Sequence, residues 1–290
     1  MKPVPFKYHD PRSIPELTAL LGKYEQAKLL AGGQSLGPML NYRYVVPDHL
    51  IDLNRIPELA YIRDGDHQLE VGAMTRQRTL ERSEEVRRVC PILVEALGWV
   101  GHFQTRNRGT IGGSLAHLDP AAELPGVCAL YDATLGVVGP RGERTISMGD
   151  WGAGFMTPSL DPDEALAKLT LHLWREPHGH AFLEFSRRRG DFAIAAIGCL
   201  LMLDGAKVRR VALAVMGVSQ VPTRLTAAER LLTGADLSDE SLASAANEIG
   251  ALEALDDAHT SGLYRKRVAG VLLVRALRQA ASRARAMTAA

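Results

Sequence analysis

Twice in this chain a regular element runs into paired glycines, at Leu29-Leu-Ala-Gly-Gly-Gln-Ser-Leu36 and again at Arg106-Asn-Arg-Gly-Thr-Ile-Gly-Gly-Ser-Leu115. Glycine reaches positive φ without strain and has no side chain to keep a ligand off the backbone. A Gly-Gly-polar-Ser turn can point several backbone N–H groups at one phosphate, and Ser or Thr hydroxyls add donors. Neither loop is a P-loop, because no Lys-Ser or Lys-Thr follows the glycines. Neither has the glycine spacing of the dinucleotide fingerprint. One such pair is an ordinary tight turn. Two of the same composition read as two walls around one extended anionic ligand.

The segments around the loops read as mixed helix and strand. A helix over 13–24 carries Ile14, Leu17, Leu20 and Leu21 at helical spacing, with Ser13 and Pro15 suited to its start. The apolar run 27–31 is a buried strand ending in the first loop, and 49–53 is another short strand. Residues 60–72 make two strands about an Asp-Gly turn. One helix is expected over 85–100, with Val86, Val89, Leu93, Leu97 and Val100 on one face. After the second loop, Asp119 is placed to cap a helix and Pro120 to open it. Asp119 and Glu123 would then face one side of that helix, where carboxylates accept from ribose, ribityl or adenine donors. A strand over 133–138 and a polar turn over 159–164 follow.

From about residue 177 the pattern becomes three strands, near 181–187, 195–203 and 208–218, then helices over 226–232, 239–249 and 262–285. That order argues for an α+β module. The last helix turns Val268, Leu272, Ala276 and Ala280 inward. Arg265, Lys266, Arg275, Arg278, Arg283 and Arg285 read as its solvated face.

A length of 290 residues favours two domains. The formal charge of +1 gives no reason to expect nucleic acid or an acidic membrane surface. No apolar run approaches membrane-spanning length, and the N-terminus lacks the apolar core of a secretory signal, so a cytoplasmic address is expected. Cys90, Cys128 and Cys199 are odd in number and far apart, which reads as three buried, reduced thiols. A thiolate cluster site needs about four cysteines, so any iron–sulfur chemistry belongs to another chain. His172, His178 and His180 lack a Cys or carboxylate to complete a metal set and read as exposed histidines. No metal site is expected, and no nucleophile–His–acid arrangement nominates a catalytic residue.

The run Ala31-Gly-Gly-Gln-Ser35, then Thr110-Ile-Gly-Gly-Ser114 with Asp119-Pro-Ala-Ala-Glu-Leu-Pro125, resembles the medium, FAD-binding subunits of the molybdenum hydroxylase and xanthine dehydrogenase family. Phe185-Ser-Arg-Arg-Arg-Gly-Asp-Phe-Ala193 resembles the opening of that family's C-terminal domain. The likeness runs along essentially the whole chain. It implies an α+β fold: a two-lobed FAD-binding domain of the vanillyl-alcohol-oxidase (PCMH) type over 1–176, with lobes of about 1–57 and 58–176. A C-terminal domain, a three-stranded sheet with helices, takes 177–290.

By the same resemblance both loops bind the FAD pyrophosphate, through Ala31, Gly32, Gly33, Gln34 and Ser35 and through Thr110, Ile111, Gly112, Gly113 and Ser114. Glu123 aligns with an acidic residue that contacts FAD, and Asp119 lies just before it. Leu166 matches a leucine near the isoalloxazine, and Arg187 is the arginine of its cluster assigned to the cofactor or a partner. Trp99, His102 and Phe103 precede the second loop and stand near the flavin or simply pack a helix end.

The implied role is electron relay. Substrate is oxidised at a molybdopterin centre on a large subunit, electrons pass through 2Fe–2S clusters on a small subunit to this FAD, and then to an external acceptor. The resemblance further implies a dimer of heterotrimers. The protein's part is to position FAD and set its potential. Some relatives carry a Lys in the strand before the Ser-Arg-Arg motif; here Leu183 and Glu184 stand there, so no cation is assured beside the ring. Two other readings use the same fold: a stand-alone FAD oxidoreductase with its own substrate pocket, and an assembly subunit that no longer binds flavin. The intact glycine loops argue against the second.

Overall fold

The first glycine loop lies at the end of a strand in a small parallel sheet. In the computed structural model, which describes residues 1–288, this sheet has the order β1-β3-β2, with β1 (Lys7–His9), β2 (Ala27–Leu30) and β3 (His49–Asp52). Helix α1 (Ile14–Lys23) crosses between β1 and β2 and starts where expected, since the Ser13 hydroxyl accepts from the Glu16 amide and Pro15 lies in the first turn. Its Leu17 and Leu21 are buried with Ile51 and Ile56. Helix α2 (Leu36–Asn41) follows the loop.

The second lobe is a five-stranded antiparallel sheet, β4-β5-β10-β6-β7. Its strands are β4 (Ile62–Gly65), β5 (Gln68–Gly72), β6 (Thr134–Gly139), β7 (Gly142–Ser147) and β10 (Ala165–His172), with a small hairpin of β8 (Gly152–Gly154) and β9 (Thr157–Pro158) before the last. Six short helices fill the long connection from β5 to β6: α3 (Gln77–Arg82), α4 (Glu84–Val89), α5 (Pro91–Leu97), α6 (Phe103–Arg108), α7 (Ile111–His117) and α8 (Glu123–Leu130). They share one apolar core with the sheet, in which Trp151 is fully buried and donates its indole N–H to the Leu115 carbonyl at 2.8 Å.

Two expectations fail here for local reasons. The single helix over 85–100 is two helices, because Pro91 has no N–H to continue the ladder and its ring opens a new helix at α5. Val86, Val89, Leu93 and Leu97 are buried all the same. Asp119 does not cap a helix. Leu118 has φ +50°, the Asp119 carboxylate accepts from the Ala121 amide in a tight turn, and α8 begins only at Glu123. Asp119 and Glu123 therefore do not share a helix face.

The C-terminal sheet is antiparallel, β11-β12-β13-β14, with β11 (Gly179–Phe185), β12 (Ala195–Asp204), β13 (Lys207–Met216) and a two-residue edge, β14 (Thr223–Arg224), added to the three expected strands. One face packs under α9 (Thr226–Leu232), α10 (Asp239–Asn247) and α11 (Gly262–Thr288). The other face joins the core of the second lobe through Phe182, Ala196, Leu200, Met202 and Met216. Covering on both faces explains why Ala-Ala-Ile-Gly-Cys-Leu-Leu-Met is apolar throughout and does not alternate.

The arginine face of α11 is not wholly solvated. Arg265 is buried and donates to the carbonyls of Ile194 and Gly217 at 2.8 and 2.7 Å, and it pairs with Asp257. Arg283 reaches Glu95 and the His180 carbonyl. Sequence periodicity counts Arg as polar; it does not show the unpaired carbonyls at the sheet end that need a long donor. Arg265→Met should therefore lower stability by about 2–4 kcal/mol, the cost of stranding two carbonyls. The readout is the urea midpoint; an unchanged midpoint would refute this account.

Cys90, Cys128 and Cys199 are buried free thiols, as expected. The histidines differ from expectation. His172 is exposed and meets Thr134, but His178 is buried with Nδ1 against the Glu176 carbonyl, and His180 is turned toward Glu95. No group of three or more metal-ligating side chains occurs among the described residues. Among them, no helix is long and apolar enough to cross a membrane.

Candidate functional site

The tertiary fold brings the two glycine loops into contact. Gly32 lies so close to the Arg108 carbonyl and the Gly109 backbone that no Cβ fits between them, and Ala31 stands next to Gly113. Two side chains that sequence reading passed over tie the loops together. Asn54, just beyond β3, donates to the Ala31 carbonyl at 2.9 Å and is held by Asp52. Arg76 donates to both the Asn54 side chain and the Arg108 carbonyl. No short motif marks either residue; a loop-bridging role is visible only in three dimensions.

The loops offer different chemistry. In the first, Gly33 has φ +70°, and the amides of Gly33, Gln34 and Ser35 have no acceptor among the described residues. Ser35 sits at the start of α2 without using its hydroxyl to cap it. These donors are available to an anion. In the second loop every amide from 111 to 114 is already used. Ile111 and Gly112 donate to the carbonyls of Thr75 and Ala73, Gly113 to the Thr110 hydroxyl, and Ser114 to the Thr110 carbonyl. What remains uncommitted there is the Ser114 hydroxyl, since the Thr110 hydroxyl already accepts from Gly113 and Thr110 is buried. Gly112 is glycine because Ala73 packs against it, which leaves no room for a Cβ. Uncommitted amides are therefore found in the first loop, while those of the second are spent within the fold.

Ile111 is fully buried and part of the core. Leu166 is 5% exposed on β10, beside a bulge in its pairing with β6. Arg187 is exposed with no partner among the described residues, whereas Arg189 donates to the Gly98 carbonyl and stacks on Trp99. His102 lies against Gly190, whose φ is +91°, and Phe103 is 55% exposed. Thus the 98–103 and 186–190 loops meet over the entrance to α6. Arg106, buried and paired with Glu81, donates to the Val100 carbonyl at 2.8 Å and holds the first of these loops in place.

Glu123 opens α8 with its carboxyl half-buried. Burial pushes its pKa up to about 7; the Asp119 charge raises it further, and Arg106 acts against the rise. A second buried acid, Glu184 on β11, lies near it.

Comparison with known proteins settles what this arrangement belongs to. Residues 4–173 match the model of the FAD-binding domain in molybdopterin dehydrogenase, and residues 180–280 match that of the CO dehydrogenase flavoprotein C-terminal domain. The chain belongs to the FAD-binding subunits of the molybdenum hydroxylases. Among its relatives, the 6-hydroxypseudooxynicotine dehydrogenase complex subunit alpha of Paenarthrobacter nicotinovorans is 39% identical, over 98% of this chain and 97% of that one. The carbon monoxide dehydrogenase medium chain of Hydrogenophaga pseudoflava is 34% identical over 98% and 99%. A solved carbon monoxide dehydrogenase from the same organism superposes with a TM-score of 0.95 at 36% identity, covering 98% of this chain and 99% of that one. Quinoline 2-oxidoreductase from Pseudomonas putida 86 gives 0.93 at 32% identity, covering 98% and 99%. Like the other FAD subunits of these hydroxylases, the chain is an oxidoreductase subunit with an α+β FAD-binding domain followed by a C-terminal domain.

Proposed function

We propose that this chain relays electrons through a single FAD held between the two glycine loops. The observation that carries the reading is the set of free amides at Gly33, Gln34 and Ser35, beside a second loop whose Ser114 hydroxyl is uncommitted. Converging uncharged donors beside a left-handed glycine suit a diphosphate, which needs hydrogen bonds and close backbone approach. Ala31, Gly32, Ile111, Gly112 and Gly113 shape this cleft. Asp119, Glu123, Leu166 and Arg187 are assigned to the rest of the cofactor. When bound, FAD accepts electrons and passes them on; the chain binds it, orients it and sets its surroundings.

We assign 1–176 to the FAD-binding domain, in lobes of about 1–57 and 58–176, and 177–290 to the C-terminal domain. The partners are a small subunit with 2Fe–2S clusters and a large molybdopterin subunit, assembled as a dimer of heterotrimers in the cytoplasm. The test is purification of the native complex followed by acid precipitation. Both partners should co-purify, and non-covalent FAD should appear in the supernatant. Flavin left on the precipitate, or a chain that purifies without either partner, would count against the assignment.

A further inference from the structure

Arg76, the residue just before α3, is stitched by its neighbours' backbone to the second glycine loop. It bridges to Thr110, while Ile111 donates to the Thr75 carbonyl and Gln77 to that of Gly109, at 3.1 and 2.9 Å. Its side chain leaves this loop and crosses toward the other. One arm of the guanidinium donates to the Arg108 carbonyl, the group that closes against Gly32. The other donates to Asn54, whose side-chain amide in turn holds the Ala31 carbonyl at 2.9 Å. Among the described residues, the bond from Arg76 to Asn54 is the one hydrogen bond joining residues 1–57 to residues beyond 60. Other packing across that boundary, Leu17, Leu21 and Ile51 with Met74, Val138 and Ala165, is apolar and non-directional.

No carboxylate pairs with Arg76 among the described residues. The side chain is half-buried, and Asp52, the acid whose field reaches it, is spent on the Tyr8 hydroxyl and the Asn54 amide. Burial holds its pKa below the usual arginine value, the Arg108 charge lowers it further, and Asp52 acts against both. A guanidinium without a counter-ion therefore stands behind Gly32, next to the free amides of Gly33, Gln34 and Ser35. A diphosphate suits that place, taking hydrogen bonds from the amides and neutralising charge from behind them.

We propose that Arg76 is a positioning residue for FAD, holding the two loops at diphosphate spacing and supplying the fixed positive charge behind them. The inference rests on the flavin-site reading and adds to it a residue that neither glycine loop contains. Arginine fits the task because its planar fork donates to two acceptors at once, whereas lysine brings charge alone. Substitution separates the two contributions: Arg76→Met removes both, and Arg76→Lys keeps the charge.

Titration of the apo chain with FAD, followed by flavin fluorescence at low and high salt, is the first test. Loss of a unit charge a few ångströms from the diphosphate should raise the dissociation constant of Arg76→Met about 10- to 100-fold. The unmodified chain should lose affinity as salt screens that charge, and the Met variant much less. Arg76→Lys should keep the salt dependence yet bind about 3-fold or more weakly, because one ammonium does not span both loops. A folded Met variant whose affinity lies within about 2-fold of the unmodified chain, or whose salt dependence is the same, overturns the proposal. Unchanged affinity in Arg76→Lys also overturns it, whether or not Arg76→Met folds.

The second test needs no flavin. Millimolar inorganic pyrophosphate should raise the thermal midpoint of the unmodified apo chain, since a ligand that binds only the folded state stabilises it. The rise should vanish in Arg76→Met and persist in Arg209→Met, which removes an exposed charge from β13 in the C-terminal sheet. No rise in the unmodified chain, or an equal rise in Arg76→Met, overturns the proposal. If pyrophosphate binds through Arg76 but the chain takes up no FAD, the flavin-site reading fails and the anion cradle stands. If FAD binds alike to the chain and both Arg76 variants, the flavin-site reading stands and Arg76 has no part in it.

Discussion

Gly33→Val should give a folded protein that purifies without its flavin. Gly33 is held at φ +70°, and a β-branched residue there costs about 1–3 kcal/mol of strain. Relief of that strain rotates the adjoining peptides, and the free amides of Gly33, Gln34 and Ser35 then no longer converge. Hydrogen bonds to a charged group contribute about 1.5–3 kcal/mol each, so losing two of them weakens FAD binding at least ~100-fold. The added Cβ would meet only the end of the Leu30 side chain, at 3.3 Å, so the core has little reason to unfold. Gly37→Ala is the control, because nothing lies within 4 Å of a Cβ there. Flavin absorbance per chain and far-ultraviolet circular dichroism separate the two outcomes. A folded, fully yellow Gly33→Val protein would sink the pyrophosphate assignment. Gly113→Val should also lose flavin, since its Cβ would lie 2.8 Å from the Thr110 hydroxyl and next to Ala31.

The second large effect concerns the company the chain keeps. Added anaerobically, the physiological substrate should bleach the FAD of the whole complex and leave that of the isolated chain yellow. Three buried, scattered cysteines cannot hold a cluster, and no group of three or more metal-ligating side chains occurs among the described residues. In the proposed relay, electrons reach this FAD from another subunit. Dithionite should bleach both samples, which shows that the isolated flavin is competent. Rapid substrate-driven bleaching of the isolated chain would replace the relay with a stand-alone flavoenzyme.

Much of this was legible along the chain because the deciding physics is local. Ser13 and Pro15 start α1 where capping rules place it, and the apolar run 27–31 ends at its glycines as a strand. The glycine loops could be recognised because positive φ and close approach demand a residue type that sequence displays. The single helix expected over 85–100 failed on a rule equally local, the proline at 91. Asp119 was misplaced because an Asx turn and a helix cap begin with the same residues, and the left-handed Leu118 decides between them.

By itself, the sequence determined the family, the two loops and many of the elements, though not α3, β7 or β10, since each of those it determined depends on a short stretch of residues and its spacing. Only the tertiary structure decided which of those residues have anything left to offer. The amides of 111–114 are taken by Ala73, Thr75 and Thr110, so the second loop keeps the Ser114 hydroxyl uncommitted where the first keeps N–H groups. Arg265 reads as a surface charge until the carbonyls of Ile194 and Gly217 close around it. Asn54 and Arg76 carry no motif at all. Their roles come from what lies opposite, and burial without a partner is a property of the packed chain that no spacing along it can express.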